Sequence, residues 1–111
     1  MSSSSYPDYF QDILETSEKA CSFIIGISFA QFKTDDKTLF ACIRALEIIG
    51  EAANKIPKEV QNKYPDIPWK EVVGMRNKLI HDYMGVNKEV VWKTIQEDLP
   101  ELEKQIKKVI E

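Results

Sequence analysis

Apolar residues recur at helical spacing along most of this chain, and proline or glycine stands near the ends of the repeating segments. Pro7 and Gly26 bracket the first predicted helix, over residues 6–25, because proline suits the start of a helix and glycine its end. Ser28 can cap a short turn behind it, since a serine hydroxyl accepts hydrogen bonds from the free amides at a helix start. The serine-rich residues 1–5 are predicted to be disordered.

The second predicted helix has apolar residues on two sides. Thr34 or Asp35 can cap it, and Pro57 ends it. On a helical wheel of about 100° per residue, one stripe carries mostly large side chains and the other mostly small ones. The large stripe comprises Leu39, Cys42, Ile43, Leu46, Ile49 and Ala53, and the small stripe comprises Ala41, Ala45, Ile48 and Ala52. Either a partner subunit or two helices of the same bundle could cover such a helix, and the sequence leaves both open.

Two further helices are predicted in the second half of the chain. Pro68 opens a third helix over residues 69–83, which ends near Gly85. Asn87 can cap a fourth helix, and Pro100 starts or kinks its final segment. Since no β-hairpin signal interrupts this pattern, we predict an all-α fold, an antiparallel four- to five-helix bundle.

Composition narrows the class of protein. The 111 residues suffice for one domain with a real core, which we place at residues 6–111, and a net charge of −3 argues against a general nucleic-acid coat without excluding a local basic patch. Cys21 and Cys42 lie within apolar helical patterns, so we predict reduced core thiols in an intracellular, cytoplasmic protein. The apolar residues 20–30 are too short to span a bilayer. We expect no membrane contact, metal or cofactor.

The third predicted helix carries the chemistry, in the segment Arg76-Asn77-Lys78-Leu79-Ile80-His81-Asp82-Tyr83. An imidazole exchanges protons near neutral pH and a guanidinium fork binds phosphate, so the segment indicates phosphate-ester chemistry. On the wheel, Arg76 falls at the centre of the apolar stripe and needs an anionic partner, for which Glu47 and Glu51 of the second helix are candidates. Asn77 and His81 fall on the flank of the stripe as an i, i+4 pair.

The single histidine limits the mechanism. Metal-independent RNA cleavage needs a base for the 2′-hydroxyl proton, an acid for the leaving oxygen and a cation for the crowded phosphorane. Two chains that meet about a twofold axis would supply two histidines and two arginines to one cleft. A nuclease interpretation therefore predicts a homodimer with His81 close to the interface.

The motif has the R-x4-H-x-Y form of HEPN-domain proteins, and its surroundings resemble the minimal HepT-like branch. The segments that carry this resemblance are Arg44-Ala45-Leu46-Glu47-Ile48-Ile49-Gly50-Glu51-Ala52-Ala53, Pro68-Trp69-Lys70, Gly74-Met75-Arg76-Asn77 and Asp98-Leu99-Pro100. An R-x4-H alone is a weak signal, but the ordered set is specific and the resemblance covers about residues 6–110. It implies a dimeric helical bundle in which Arg76 and His81 of both subunits are catalytic and Asn77 supports them.

The resemblance also implies a partner and a modification. HepT-like proteins are ribonuclease toxins encoded beside a minimal nucleotidyltransferase antitoxin, which transfers AMP from ATP onto the motif tyrosine, here Tyr83. A bulky anion at Tyr83 would neutralise the cationic cleft that RNA should enter. The RNA, tRNA or mRNA, is left open. Candidate contacts to it are Lys55, Lys70, Lys78 and Lys88.

Two other hypotheses remain beside the ribonuclease toxin. The chain could be a non-catalytic accessory subunit that holds RNA or a nucleotide for its nucleotidyltransferase partner. It could also be a dimeric helical domain in which Arg76 only ties the third helix to the second, because an arginine in an apolar face is commonly a structural ion pair.

Overall fold

The computed structural model describes residues 6–80 and 87–111, and within these ranges its regular structure is helical, without a strand. The helices are α1 (Tyr6–Phe23), α2 (Phe29–Lys33), α3 (Asp36–Lys55), α4 (Lys58–Gln61), α5 (Trp69–Ile80), α6 (Lys88–Lys93) and α7 (Leu99–Ile110), with a π-helical turn (Thr94–Asp98) between α6 and α7. The all-α prediction is confirmed. Residues 1–5, predicted to be disordered, lie outside the described residues.

The long helices α1, α3, α5 and the α6–α7 unit form the predicted antiparallel bundle, with α2 and α4 as short turns at its corners. Lys55 at the end of α3 holds its ammonium 5.8 Å from the ring centre of Tyr9, near the start of α1. Cys21 near the end of α1 lies 3.8 Å from the carbonyl oxygen of Ile95, near the start of the α6–α7 unit. Helix α1 therefore runs antiparallel to both of these neighbours.

Polar side chains cap the helices close to where the sequence predicts. Ser28 forms a reciprocal capping box with Gln31 at the start of α2, and Asn87 accepts the amide hydrogen of Val90 at the start of α6. Asp35 rather than Thr34 caps α3, and its hydrogen bonds from Thr38 lower the pKa of the Asp35 carboxyl. Helix α1 ends at Phe23, slightly earlier than predicted, before the turn at Gly26.

The core fills the space between α1, α3, α5 and the α6–α7 unit. Its largest fully buried side chains are Phe10, Phe32, Ile13, Leu46, Ile49, Ile56, Ile95, Leu99 and Ile106. On the small-residue stripe of α3, Ala45 and Ala52 are buried within the single chain, whereas Ala41 and Ile48 are half-buried. Helices of the same bundle thus cover much of the small-residue stripe, which was one of the two alternatives that the sequence left open.

A π-helical turn keeps one buried stripe continuous through the α6–α7 unit. Val91, Ile95 and Leu99 follow one another at intervals of four, and all three are fully buried. In a regular α-helix, residues eight apart drift by about 80° around the axis. The wider turn offsets this drift: the amide of Leu99 donates to the carbonyl of Thr94, five residues earlier. Pro100, which lacks an amide hydrogen, follows directly and opens α7 as predicted.

Both cysteines are free thiols within the packed bundle, as predicted. Cys42 is fully buried, and Cys21 is half-buried with its Sγ 3.2 Å from Oε2 of Glu103. Burial and the adjacent Glu103 raise the pKa of Cys21 to about 12. Burial likewise raises the pKa of Cys42 to about 11. Both groups are therefore protonated at neutral pH.

Candidate functional site

The predicted site begins on α5. The helical backbone of α5 carries Arg76 and Asn77 in its second half and continues to Ile80, whereas His81 and Tyr83 lie outside the described residues. The apolar stripe predicted for this helix is confirmed upstream of the motif, since Val72 is fully buried and Trp69 is half-buried. By helical spacing, Arg76 shares the register of this stripe.

The stripe brings α5 against α3 at the level of the motif. Met75 and Leu46, both buried, line one cavity of about 60 Å³ between α3, α5 and the α6–α7 unit. Arg76 follows Met75 in the chain, and Glu47 follows Leu46. Arg76 and Glu47, the candidate partners of an ion pair, are therefore each next in sequence to a residue at the contact between α5 and α3.

The two predicted carboxylates form an ion cluster on the outer side of α3. Arg44 Nη1 lies 3.4 Å from Oε1 of Glu47 and 3.8 Å from Oε1 of Glu51. Glu47 and Glu51 keep 33% and 44% of their side-chain surface exposed, so each can approach a further cation. Their pairing with Arg76 remains a prediction. Arg44 was not among the predicted partners of the two glutamates, although its i, i+3 and i, i+7 spacing to them was a usable signal.

A large apolar side chain stands beside this ion cluster. Phe40, on the same outward side of α3 and one turn before Arg44, is 66% exposed. We call the outward residues Phe40, Arg44, Glu47, Ile48 and Glu51 the outer face of α3. It combines an exposed aromatic ring with charges of both signs, which is common at polar subunit interfaces.

The four lysines predicted to contact RNA do not all lie at one place, and the side chain of Lys78 is outside the described part of the structure. Lys55 and Lys70 are exposed near the junction of α3, α4 and α5. Lys88 lies elsewhere, where its Nζ donates a hydrogen bond to the carbonyl oxygen of Lys33 at 2.8 Å. Within residues 6–80 and 87–111, no group of three or more His, Cys, Asp or Glu residues is placed to hold a metal ion. None of the described helices is long and apolar enough to cross a membrane.

Gly74, two residues before Arg76, should be replaceable by alanine with a gain in stability. A Cβ atom built on Gly74 would meet no described atom outside its own helical turn within 4 Å, and alanine is the better helix former. We expect Gly74→Ala to raise the free energy of unfolding by about 0.5–1 kcal/mol in urea denaturation. Gly26→Ala is the control: Gly26 has a φ of 80°, so alanine should destabilise the fold there. Equal effects of the two changes would contradict this prediction.

A helical bundle with an R-x4-H-x-Y motif that begins on a helix packed against α3 is typical of HEPN-like proteins. Residues 13–109 match the family model described as "Ribonuclease HepT-like". The chain therefore belongs to the HepT-like ribonuclease family, and its enzyme class is ribonuclease. The resemblance inferred from the sequence motifs is confirmed.

Two relatives show how far the likeness extends. The "Probable ribonuclease HepT" of Thermococcus cleftensis is 49% identical over 105 residues, which cover 95% of this chain and 96% of the relative. The "Putative RNase TTE0752" of Caldanaerobacter subterraneus subsp. tengcongensis is 47% identical over 103 residues, which cover 93% of this chain and 92% of the relative. No solved structure matches the chain. The likeness to both relatives spans nearly the whole length of each protein.

Proposed function

We propose that this chain is the toxin of a toxin–antitoxin pair and acts in the cytoplasm. It is a metal-independent endoribonuclease whose active site is shared between two subunits. The family match over residues 13–109 carries the ribonuclease part of the proposal. The R-x4-H-x-Y motif, with one histidine in the chain, carries the shared site. The substrate is RNA, either tRNA or mRNA.

The proposed chemistry divides two steps between two histidines. One His81 takes the proton of a 2′-hydroxyl, whose oxygen attacks the adjacent phosphorus. The 5′-oxygen leaves with a proton from His81 of the second subunit, giving a 2′,3′-cyclic phosphate and a free 5′-hydroxyl. Arg76 stabilises the phosphorane that forms between these steps. Asn77 supports the cleft, and Glu47 and Glu51 hold the Arg76 guanidinium in position.

The outer face of α3 supports the dimeric part of the proposal. Phe40 is 66% exposed beside Arg44, and aromatic residues and arginine are enriched at subunit interfaces. The neighbouring Arg44, Glu47 and Glu51 carry both signs of charge, so the same face on a second copy can pair with them. Contact along this face would bring two copies of α3, and the adjacent α5 helices, towards one cleft.

Cleavage of RNA in EDTA tests the proposed activity. Purified protein should cut a single-stranded RNA in the presence of the chelator, and the new ends should be 2′,3′-cyclic phosphates and 5′-hydroxyls. Products with 5′-phosphate ends, or activity that disappears with EDTA and returns with Mg²⁺, would refute the metal-independent mechanism.

Tyr83→Phe should abolish silencing by a nucleotidyltransferase antitoxin. The proposed transfer forms a bond between the tyrosine Oη and the α-phosphorus of ATP, releases pyrophosphate and loses the phenolic proton. Phenylalanine has no Oη, so the intact mass of the variant should not change after incubation with the antitoxin and ATP. In cells that express both proteins, the variant should slow growth more than the wild type. Equal mass gain by both proteins would place the modification elsewhere.

A further inference from the structure

One groove on the bundle surface is lined by lysines at the junction of α3, α4 and α5. Its charged side chains are Lys55, Lys58 and Lys70, and the exposed edge of Trp69 and the backbone of Gly74 complete the wall near α5. We call this site the Lys groove. Its volume is about 770 Å³, and none of the described residues that line it is aspartate or glutamate. A protein of net charge −3 therefore presents a locally cationic groove.

Buried hydrogen bonds hold the walls of the Lys groove in place. The side-chain amide of Gln61, which is 6% exposed, donates to the carbonyls of Ala53 and Ile56 at 3.2 and 3.1 Å. The indole nitrogen of Trp69 donates to the carbonyl of Tyr64 at 3.0 Å. These bonds fix the α3–α4 corner, which carries Lys55 and Lys58. They also fix the indole of Trp69, which stands beside Lys70, so the groove is preformed.

The opposite side of α5 carries the opposite charge. A second groove, between α5 and the α6–α7 unit, is lined by the carboxylates Asp66, Glu71, Glu97, Asp98 and Glu101. Consecutive residues divide the two sides: Lys70 faces the Lys groove and Glu71 faces the acidic one. A polyanion that approaches α5 is therefore attracted to one side and repelled from the other.

Gly74 marks the point where the Lys groove meets the motif helix. No described atom outside its own turn of α5 lies within 4 Å of a Cβ built there, so packing among the described residues does not require a glycine at this position. A helical glycine that its own fold does not need leaves room for close approach of a ligand to the backbone. Lys70, Gly74 and Asn77 recur at i, i+4 and i+7 along α5, so helical spacing places Asn77 of the motif on the same face of the helix as Lys70 and Gly74.

We propose that the Lys groove binds the single-stranded RNA beside the scissile bond, with the three lysines on phosphates and one unpaired base against Trp69. This inference rests on the proposed function for the nature of the polyanion. A cationic groove with an aromatic edge suits an unpaired strand, because bases in a duplex are not free to stack on a side chain. The Lys groove would thus extend the proposed active site along the RNA strand.

Binding of an uncleavable RNA tests the proposal without relying on catalysis. The probe is a fluorescein-labelled 2′-O-methyl RNA of mixed sequence, about 12 nucleotides long, a length within the site sizes of single-strand binders. Its methylated 2′-oxygens cannot act as nucleophiles, so full-length protein can be titrated at equilibrium by fluorescence anisotropy. The groove variant combines Lys55→Gln, Lys58→Gln and Lys70→Gln. The matched control combines Lys19→Gln, Lys37→Gln and Lys104→Gln, three exposed lysines outside the groove.

The groove variant should bind the probe at least about tenfold more weakly than the control, with a slope of log K against log salt that is smaller by about 2. The slope follows from three lost phosphate contacts at about 0.7 each for a single strand. Gly74→Leu should weaken binding without any change in charge, and a duplex of the same sequence should compete poorly.

The possible outcomes distinguish RNA binding by the Lys groove from the proposed ribonuclease activity. Groove-dependent binding by a protein that cleaves no RNA would support the Lys groove and refute the catalytic proposal. Cleavage by the wild type, with equal binding by the groove and control variants, would support the catalytic proposal and refute the Lys groove. Absence of probe binding by the wild type, or equally tight binding of a polyglutamate peptide of the same charge, would overturn the assignment to RNA. Matching far-UV spectra of the variants would confirm that the fold is intact.

Discussion

His81→Ala should lower the rate of RNA cleavage in EDTA by at least about 10²-fold, the usual contribution of a general acid or base. The effect should be large because His81 is the single histidine of the chain, so the substitution removes both the proposed base and the proposed acid of the shared site. Arg76→Ala should produce a similar loss, since it removes the cation that we propose to stabilise the phosphorane. The measurement is initial-rate cleavage of a labelled single-stranded RNA.

A mixed dimer gives the sharper form of this test. Wild-type and His81→Ala chains carrying different affinity tags can be co-expressed, and the heterodimer purified through both tags in turn. If acid and base come from different subunits, the heterodimer should retain far less than half of the wild-type rate. A rate of one half would mean that each subunit works alone and would refute the shared site. The Lys104→Gln heterodimer is the control, because Lys104 is exposed on α7 and lines neither the Lys groove nor the acidic groove beside α5.

Phe10→Ala should be the most damaging of the core truncations near the Lys groove. The Phe10 ring is 1% exposed and packs edge-on against Tyr64 and Trp69, with ring centres 5.8 Å apart in each pair. Truncation of a buried phenylalanine costs about 3–5 kcal/mol, through lost burial and a residual cavity. Small domains have about 5–15 kcal/mol in total, so the loss should be visible as a large fall in the urea midpoint.

Tyr6→Ala is the matched control for this prediction. Tyr6 stands one turn before Phe10 on α1 and contacts it edge-on at 6.3 Å, but it is 40% exposed. We expect its truncation to cost about 1 kcal/mol or less, because most exposed substitutions are mild. Equal losses in the two variants would contradict the position of Phe10 at the centre of this aromatic cluster.

The helix boundaries could be predicted where a side chain acts on its own neighbours. Ser28 and Asn87 cap α2 and α6 as the sequence indicates, because each bond spans three residues. The sequence could not choose between Thr34 and Asp35, since both can cap a helix. In the structure Thr34 closes α2 and Asp35 opens α3, an assignment that depends on how closely the two helices follow each other.

Features that depend on tertiary packing were harder to predict from the sequence. Wheel geometry revealed two apolar stripes on α3 but not what covers them, because a wheel carries no information about neighbouring helices. The π-helical turn also escaped prediction, although Val91, Ile95 and Leu99 at intervals of four fit an α-helix poorly over two turns.

The candidate site shows the same division. The motif from Arg76 to Tyr83 is contiguous, so the sequence displays its chemistry directly. The Lys groove is assembled by the α3–α4–α5 corner, and its middle residue, Lys58, carried no signal of its own in the sequence. Lys88 looked equivalent to Lys55 and Lys70 by charge, yet it bonds to the carbonyl of Lys33 at another place on the bundle. Charge alone could not sort these lysines.

The two raised thiol pKa values make the wild-type chain a suitable background for site-specific labelling. Thiolates are the species that react with maleimides, and a pKa of about 12 for Cys21 and about 11 for Cys42 leaves almost none at neutral pH. A cysteine introduced at exposed Lys37, near the start of α3, should therefore react selectively. Fluorophores attached there would test the proposed dimer by energy transfer between its two subunits, with both native cysteines retained.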